Sequence, residues 1–406
     1  MGLLPRPFTP SRMANKPDEF FGRAEELQRA PRQLQSGSLI IDGPVGIGKS
    51  SFLSQLILQV TGNYSGQPKL GIHIEQSCDR SIDSPAKLSQ RILGQILDAN
   101  EKTYKLTIGI PKIVTWEVGS KIAKVPSDEY AIPALCDILG NLAKQADGLV
   151  VIAIDEADKC PKQLAQMVRI IMNNLDLTQK GFDRIRFILS GVSPFYSDMI
   201  QEDPGVARFF YGKFSLLPFS FEDSVQFIEE KFQIVLSSDE ATNRDLSVSE
   251  DVYSSIARIT GGHPHLLQLM GAHVLDHEED DPDNHINLRD LVGSLRSICF
   301  GTRGEVYQKQ IHRLVTDKKI DALREFFAIS QTSCPTTAKG VPARDAIEHQ
   351  DLEYLMNCGH VSYMSHNDTY VLIDEFLRIR MLLDSQVIDD RNLESNLIVD
   401  FRYPKD

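Results

Sequence analysis

No run of this 406-residue chain approaches the eighteen or so consecutive apolar residues of a membrane-spanning helix. The first residues, Met1-Gly2-Leu3-Leu4-Pro5-Arg6, lack the apolar stretch of a secretory signal, and Arg6 stands where a myristoylation pattern needs Ser or Thr. The expectation is a cytoplasmic protein with no membrane partner. None of the six cysteines (Cys78, Cys136, Cys160, Cys299, Cys334, Cys358) forms a C-x-x-C pair. That spacing offers no zinc-ligand set and reads as small core residues in a reducing compartment. Basic residues are in deficit: 43 Lys and Arg face 56 Asp and Glu, for a net charge of −13. Such a surface repels phosphate backbones on average, so contact with nucleic acid would need a local patch.

What remains is ordinary globular material, 42% hydrophobic and 24% charged, in a chain long enough for two or three domains. Residues 1–17 carry Pro5, Pro7, Pro10 and Pro17 with Arg6, Arg12 and Lys16 and no acidic residue, which reads as an extended arm. Residues 18–220 open with a helix over Phe20-Phe21-Gly22-Arg23-Ala24-Glu25-Glu26-Leu27. They then alternate apolar strands (39–42, 70–75, 149–155, 186–190, 213–216) with amphipathic helices (49–60, 85–99, 132–145, 163–175). That rhythm predicts an α/β domain, a parallel sheet with helices on both faces. The stretch 104–125, which holds the lone Trp116, alternates as an inserted hairpin would; its tip serves either contact or plain packing. Residues 221–305 read as a helical lid, with Glu278-Glu279-Asp280-Asp281 as a solvated loop. Residues 306–385 read as three helices and a hairpin, a winged helix, and 386–406 as a polar tail.

The chemistry begins at Gly43-Pro44-Val45-Gly46-Ile47-Gly48-Lys49-Ser50. This segment meets the pattern G-x-x-x-x-G-K-S/T between the apolar Leu39-Ile40-Ile41 and the helical Ser51-Phe52-Leu53. Glycines let backbone N–H groups turn inward around phosphates, and the following helix adds its positive end. Lys49 would reach the β- and γ-phosphates and Ser50 would ligate Mg²⁺, so ATP and Mg²⁺ are the expected ligands. A second element supports this: the apolar strand Leu149 to Ile154 ends in Asp155-Glu156. Asp155 is placed to hold the metal, and Glu156 to orient and deprotonate a water. Ser190 ends the next strand, where it either touches the γ-phosphate or caps the strand. Arg208, in Pro204-Gly205-Val206-Ala207-Arg208-Phe209-Phe210, either stabilises phosphate charge on a neighbouring subunit or makes a surface salt bridge.

With these residues the chain, over roughly 7–383, resembles the AAA+-related ATPases of the origin-recognition-like, archaeal-type group, bordering on the STAND signalling ATPases. The likeness rests on the Phe21-to-Leu27 box, the two nucleotide motifs, Ser190-Gly191, and Gly261-Gly262-His263-Pro264 opening a lid helix. The resemblance implies an AAA+-like P-loop sheet domain followed by a helical lid and a winged helix, and ATP hydrolysis. It places Phe21, Gly22 and Arg23 near the base, Ser51 with the phosphate-binding residues, and His263 and Pro264 near the nucleotide. The lid helix opens without the arginine that ordinary AAA+ machines carry there, which points to slow turnover and a switch.

The resulting expectation is a homo-oligomeric switch whose ATP-dependent assembly controls a protein effector such as a nuclease. Prokaryotic relatives of this kind suggest a setting in anti-phage defence. The alternative is a DNA-binding ATPase of replication-initiator or transposition-helper type. Residues 309–385 carry nine Lys and Arg against eleven Asp and Glu, and the wing Ser365-His366-Asn367-Asp368 has no Lys or Arg, so charge does not favour DNA. A third reading is a nucleotide-binding scaffold without turnover.

Overall fold

The computed structural model describes residues 3–64, 69–103, 127–177, 182–280, 283–333, 341–364 and 368–384. The hairpin expected at 104–125, the wing residues Ser365 to Asn367, Cys334 and the tail 386–406 lie outside them. The chain divides into two compact units, one of Ala14–Gly43 and Lys49–Leu216, the other of Met1–Met13, Pro44–Gly48 and Leu217–Asp406.

The first unit is built on five strands: β1 (Ser38–Gly43), β2 (Gly71–Ser77), β3 (Leu149–Asp155), β4 (Ile185–Val192) and β5 (Phe210–Ser215). They pair in the order β2-β3-β4-β1-β5, every pairing parallel. A strand covered on both faces must be apolar along its length, and β3 is the clearest case: Val150 to Ile154 are all fully buried. Removing each large aliphatic side chain from water contributes about 1.5–3 kcal/mol, an upper estimate. The helix Pro161–Leu177 shows the helical period instead, burying Leu164, Met167, Val168, Ile171 and Leu175. The helices Lys49–Thr61, Pro85–Thr103 and Asp128–Gln145 complete the cover, with Pro133 tolerated inside the last of these.

The sheet order decides where the chemistry falls. Parallel strands put all their carboxyl ends on one edge, so Gly43, Asp155 and Val192 end β1, β3 and β4 there; Ser190, expected to end its strand, lies two residues before that end because β4 continues to Val192. The first helix starts later than the Phe20 box suggests, at Ala24. Gly22 (φ 68°) and Arg23 (φ 58°) are left-handed, and a helix cannot propagate through such residues.

The second unit contains the helices Phe221–Leu236, Asp239–Arg244, Glu250–Thr260, Pro264–Asp280 and Leu288–Arg296, with a two-residue ladder between β6 (Ser247–Val248) and β7 (His285–Ile286). Of the acidic run Glu278-Glu279-Asp280-Asp281, expected as a solvated loop, Asp281 lies outside the described residues and the other three are helical. Glu278 to Asp280 complete the Pro264–Asp280 helix, and the fully buried Glu278 accepts the Asn284 backbone N–H at 3.2 Å. Helices Gly304–Thr316, Ile320–Ser333 and His349–Asn357 follow, with β8 (Val341–Pro342), β9 (Val361–Met364) and β10 (Thr369–Leu372) in the order β8-β10-β9, then the helix Glu375–Asp384. The strand β8 is too short to leave a two-residue period in the sequence.

Candidate nucleotide site

The loop after β1 turns through three left-handed glycines, Gly43 (φ 151°), Gly46 (φ 77°) and Gly48 (φ 96°), conformations that a side chain would strain. Pro44 and Ile47 are buried and Val45 is 62% exposed, so the loop is anchored at two points and open between them. The helix Lys49–Thr61 starts directly after it in the chain, and a helix N-terminus is a favourable place for an anion.

Inside the sheet unit, Lys49 folds back and donates from Nζ to the Gly43 carbonyl at 3.1 Å. Burial lowers its pKa to about 8, against the pull of Asp155, Asp158 and Asp42, which favour its charge. Ser50 Oγ donates to Asp155 Oδ2 at 2.6 Å. This brings the hydroxyl of the helix's first turn and the strand-end carboxylate to within one oxygen–oxygen contact, as two groups sharing one hard cation and its water shell must be. The residues present therefore fit Mg²⁺. The other Asp155 oxygen accepts the Glu156 backbone N–H at 2.9 Å, and the Asp155 carbonyl accepts the Cys78 N–H at 2.9 Å, so the end of β3 is pinned on both sides. Glu156 is exposed and left-handed (φ 53°), a conformation unusual for a residue with its side chain.

Ser190 is fully buried opposite Ile41 of β1, and its hydroxyl has no hydrogen-bond partner among the described residues. Arg208 lies on the 3-10 turn Pro204–Phe209, exposed, with its guanidinium hydrogen-bonded to Asn173 Oδ1 and 4.8 Å from the Phe209 ring. Among the described residues its hydrogen-bond partner is an amide. Phe21, Gly22 and Arg23 are half-buried at the entry to the first helix, where the Arg23 carbonyl accepts the Leu27 N–H at 2.9 Å. Ser51 Oγ is engaged by the Ala14 N–H at 3.1 Å.

Within the second unit, His263 is buried and its Nε2 lies 2.9 Å from the Val45 carbonyl. A carbonyl only accepts, so Nε2 carries the hydrogen. Gly46 is demanded here by packing as well as by its φ, since a Cβ would stand 2.8 Å from His263 Cε1. Pro264 is the first helical residue, where its missing N–H costs nothing. The sequence reading missed His265, whose Nδ1 lies 3.1 Å from the Pro10 carbonyl and whose Nε2 lies 2.5 Å from Arg303 Nη2. Arg303 also donates to Asp374 at 2.6 Å, as does Tyr307 at 3.0 Å. The i, i+2 histidine spacing was the one available signal. Nothing local marks Arg303 or Asp374, which are separated by 71 residues.

A parallel sheet in this order, with the glycine loop after β1 and acidic residues ending β3, defines the AAA+-type P-loop fold. Solved structures agree with it. The Walker-type ATPase paby2304 of Pyrococcus abyssi matches over 92% of this chain and 99% of its own, with a TM-score of 0.56 and 17% identity. The Aeropyrum pernix ORC2 protein, in ADPNP–ADP complexes, matches over 98% of each chain with a TM-score of 0.55 and 15% identity. Cdc6p from Pyrobaculum aerophilum matches over 97% of each chain at 0.50 and 17%. At these identities the likeness is one of fold. No family model matches the sequence. No curated protein sequence matches it. Among the described residues, no helix is long and apolar enough to cross a membrane.

Proposed function

We propose that this protein is an ATP- and Mg²⁺-binding switch of AAA+/STAND type that hydrolyses ATP slowly and assembles with itself when ATP is bound, thereby controlling a protein effector. The observation that carries the nucleotide reading is the Ser50–Asp155 hydrogen bond of 2.6 Å, which joins the two metal-ligating candidates from loop and strand. The solved ORC2 structure holds ADPNP and ADP, which supports adenine nucleotides as the ligand class.

In this reading Gly43 to Ser51 cradle the phosphates, Lys49 leaves the Gly43 carbonyl for a phosphate oxygen, and Ser50 and Asp155 hold the metal. Mg²⁺ so held neutralises charge on the phosphate oxygens. Glu156, the exposed carboxylate at a strained backbone position, takes the proton of the attacking water. Ser190 offers a hydroxyl that is unpaired among the described residues, on the strand beside β3, and Arg208 an exposed guanidinium that rests on the Asn173 amide and the Phe209 ring, the kind of group a second subunit can recruit. His263 acts through the backbone of Val45, and no arginine takes its place at the start of that helix, which favours a held state over rapid cycling. Phe21, Gly22 and Arg23 are assigned to the base and Pro264 to the nucleotide. Residues 306–385, in the winged-helix reading, serve as the effector-docking module. Their net acidic charge favours protein over DNA.

The test is the E156Q variant. It should bind ATP, release no phosphate, run at a larger size with ATP and Mg²⁺ than without, and retain its effector in a pull-down. A scaffold without turnover predicts wild-type phosphate release that E156Q leaves unaltered. Salt-sensitive binding of duplex DNA by the full chain would favour the initiator or transposition-helper alternative. An anti-phage setting predicts that cells carrying the gene resist infection and cells carrying E156Q do not.

A further inference from the structure

The N-terminal arm is bound as a peptide ligand is bound. Residues 4–10 run antiparallel along one face of the Pro264–Asp280 helix, within one compact unit. Side chains of that helix read the arm's backbone: Glu279 Oε1 accepts the Leu4 N–H at 2.8 Å, Gln268 Oε1 accepts the Thr9 N–H at 2.8 Å, and His265 Nδ1 donates to the Pro10 carbonyl at 3.1 Å. Two apolar anchors fill the groove. Leu4 and Phe8 are both buried, and Phe8 meets Phe232 edge-on with ring centroids 5.3 Å apart. Gly271 makes room for the Phe8 ring, which a Cβ there would approach to 2.4 Å. Between the anchors, Arg6 forks onto Asp276 and Glu279, and the Glu279 side chain is only 12% exposed. Extended backbone, alternate side chains in pockets and a central charge pair are how proteins recognise short segments.

We propose that this groove is the assembly site of the protein and that in the ATP-bound oligomer it holds the arm of a second copy of this chain. The groove is complementary to Leu-Pro-Arg-Pro-Phe, a neighbouring copy carries the same segment, and every contact made within one chain can be remade between two. The arm has three basic and no acidic residues in 1–17, against Asp276, Glu279 and Asp280 at the end of the groove helix. Residues 11–13, immediately after the docked segment, are exposed and follow a turn in which the Thr9 carbonyl accepts the Arg12 N–H at 3.1 Å, so the arm can be redirected there without pulling a buried side chain of this segment from the core. This inference rests on the ATP-dependent assembly proposed above and names its contact.

The test uses full-length chains and charge reversal. The R6E variant and the D276R/E279R variant each place like charges in the groove, and each should lose ATP-dependent assembly at least about tenfold in midpoint concentration while binding a fluorescent ATP analogue normally. An equimolar mixture of the two is the decisive sample. It restores opposite charges only between chains, so assembly should return in the mixture, in alternating copies. The triple variant R6E/D276R/E279R restores both arrangements and checks that the reversed groove still folds and assembles. If the triple variant assembles and the mixture does not, the arm is a strap within its own chain and the proposal falls. Wild-type assembly by either single variant would remove the arm from assembly altogether. Failure of the wild-type chain to assemble with ATP would sink the assembly reading itself, and the exchange with it.

Discussion

Lys49 shows how burial and charge compete at a single residue. Burial lowers its pKa to about 8, although Asp155, Asp158 and Asp42 each oppose that shift. A triphosphate arriving beside it favours the charged form, so ATP binding should take up protons, more at pH 8.5 than at pH 7, and apparent affinity should fall as pH rises through about 8. Calorimetry in buffers of different ionisation enthalpy measures that uptake directly, and K49M should abolish both the uptake and most of the affinity. Glu156 is separable from this effect. It is exposed, its backbone is left-handed, and it has no part in the Ser50–Asp155 contact, so E156Q should cost hydrolysis without costing binding.

At the scale of elements, the groove helix Pro264–Asp280 carries two opposing effects at one position. Gly271→Ala should stabilise the helix itself by up to about 1 kcal/mol, because glycine is a poor helix former. The added Cβ also meets the Phe8 ring, and losing that ring's burial should weaken arm docking by about 1.5–3 kcal/mol. The expected outcome is an unchanged or slightly raised melting temperature with much faster tryptic cleavage after Arg12. Faster cleavage together with a clear fall in melting temperature would mean that the arm is integral to the fold. The start of β9 gives a second prediction. His360 is buried beside Arg313, and burial first, then that charge, lowers its pKa to about 4. The unfolded chain binds its proton near pH 6.5 and the folded chain resists until about pH 4, so stability should fall with pH across that window, by up to about 3 kcal/mol. In urea titrations the wild type should lose more stability between pH 7 and pH 4.5 than H360Q does.

Across the whole molecule, charge is the property that separates the functional readings. A net charge of −13, and an acidic balance over residues 309–385, should leave duplex DNA binding weak at 50 mM salt and absent at 200 mM, whereas a DNA loader would show a steep salt slope from a high starting affinity. The same acidic balance is compatible with self-association through a local basic segment. The arm is such a segment, and at this scale the prediction is that ATP and Mg²⁺ change the sedimentation of the wild-type chain at concentrations where K49M stays monomeric.

The sequence by itself determined the nucleotide motif, the apolar strands and the order in which strands and helices alternate. Each of these is local, since glycines at fixed spacing, a run of branched apolar residues or a 3.6-residue period can be read within a dozen positions. It also singled out Lys49, Ser50, Asp155, Glu156, Ser190 and Arg208 as candidates. Only the tertiary structure decided what they touch. Strand order brought the ends of β1, β3 and β4 to one edge, which no single segment encodes. The acidic stretch after His277 looked solvated because composition does not report a partner 273 residues away such as Arg6 for Glu279. The arm looked merely extended because proline spacing says nothing of the groove that receives it. His265, Arg303 and Asp374 went unread for the same reason: a hydrogen bond between distant residues leaves no periodic trace, and its energy exists only once folding has removed the competing water.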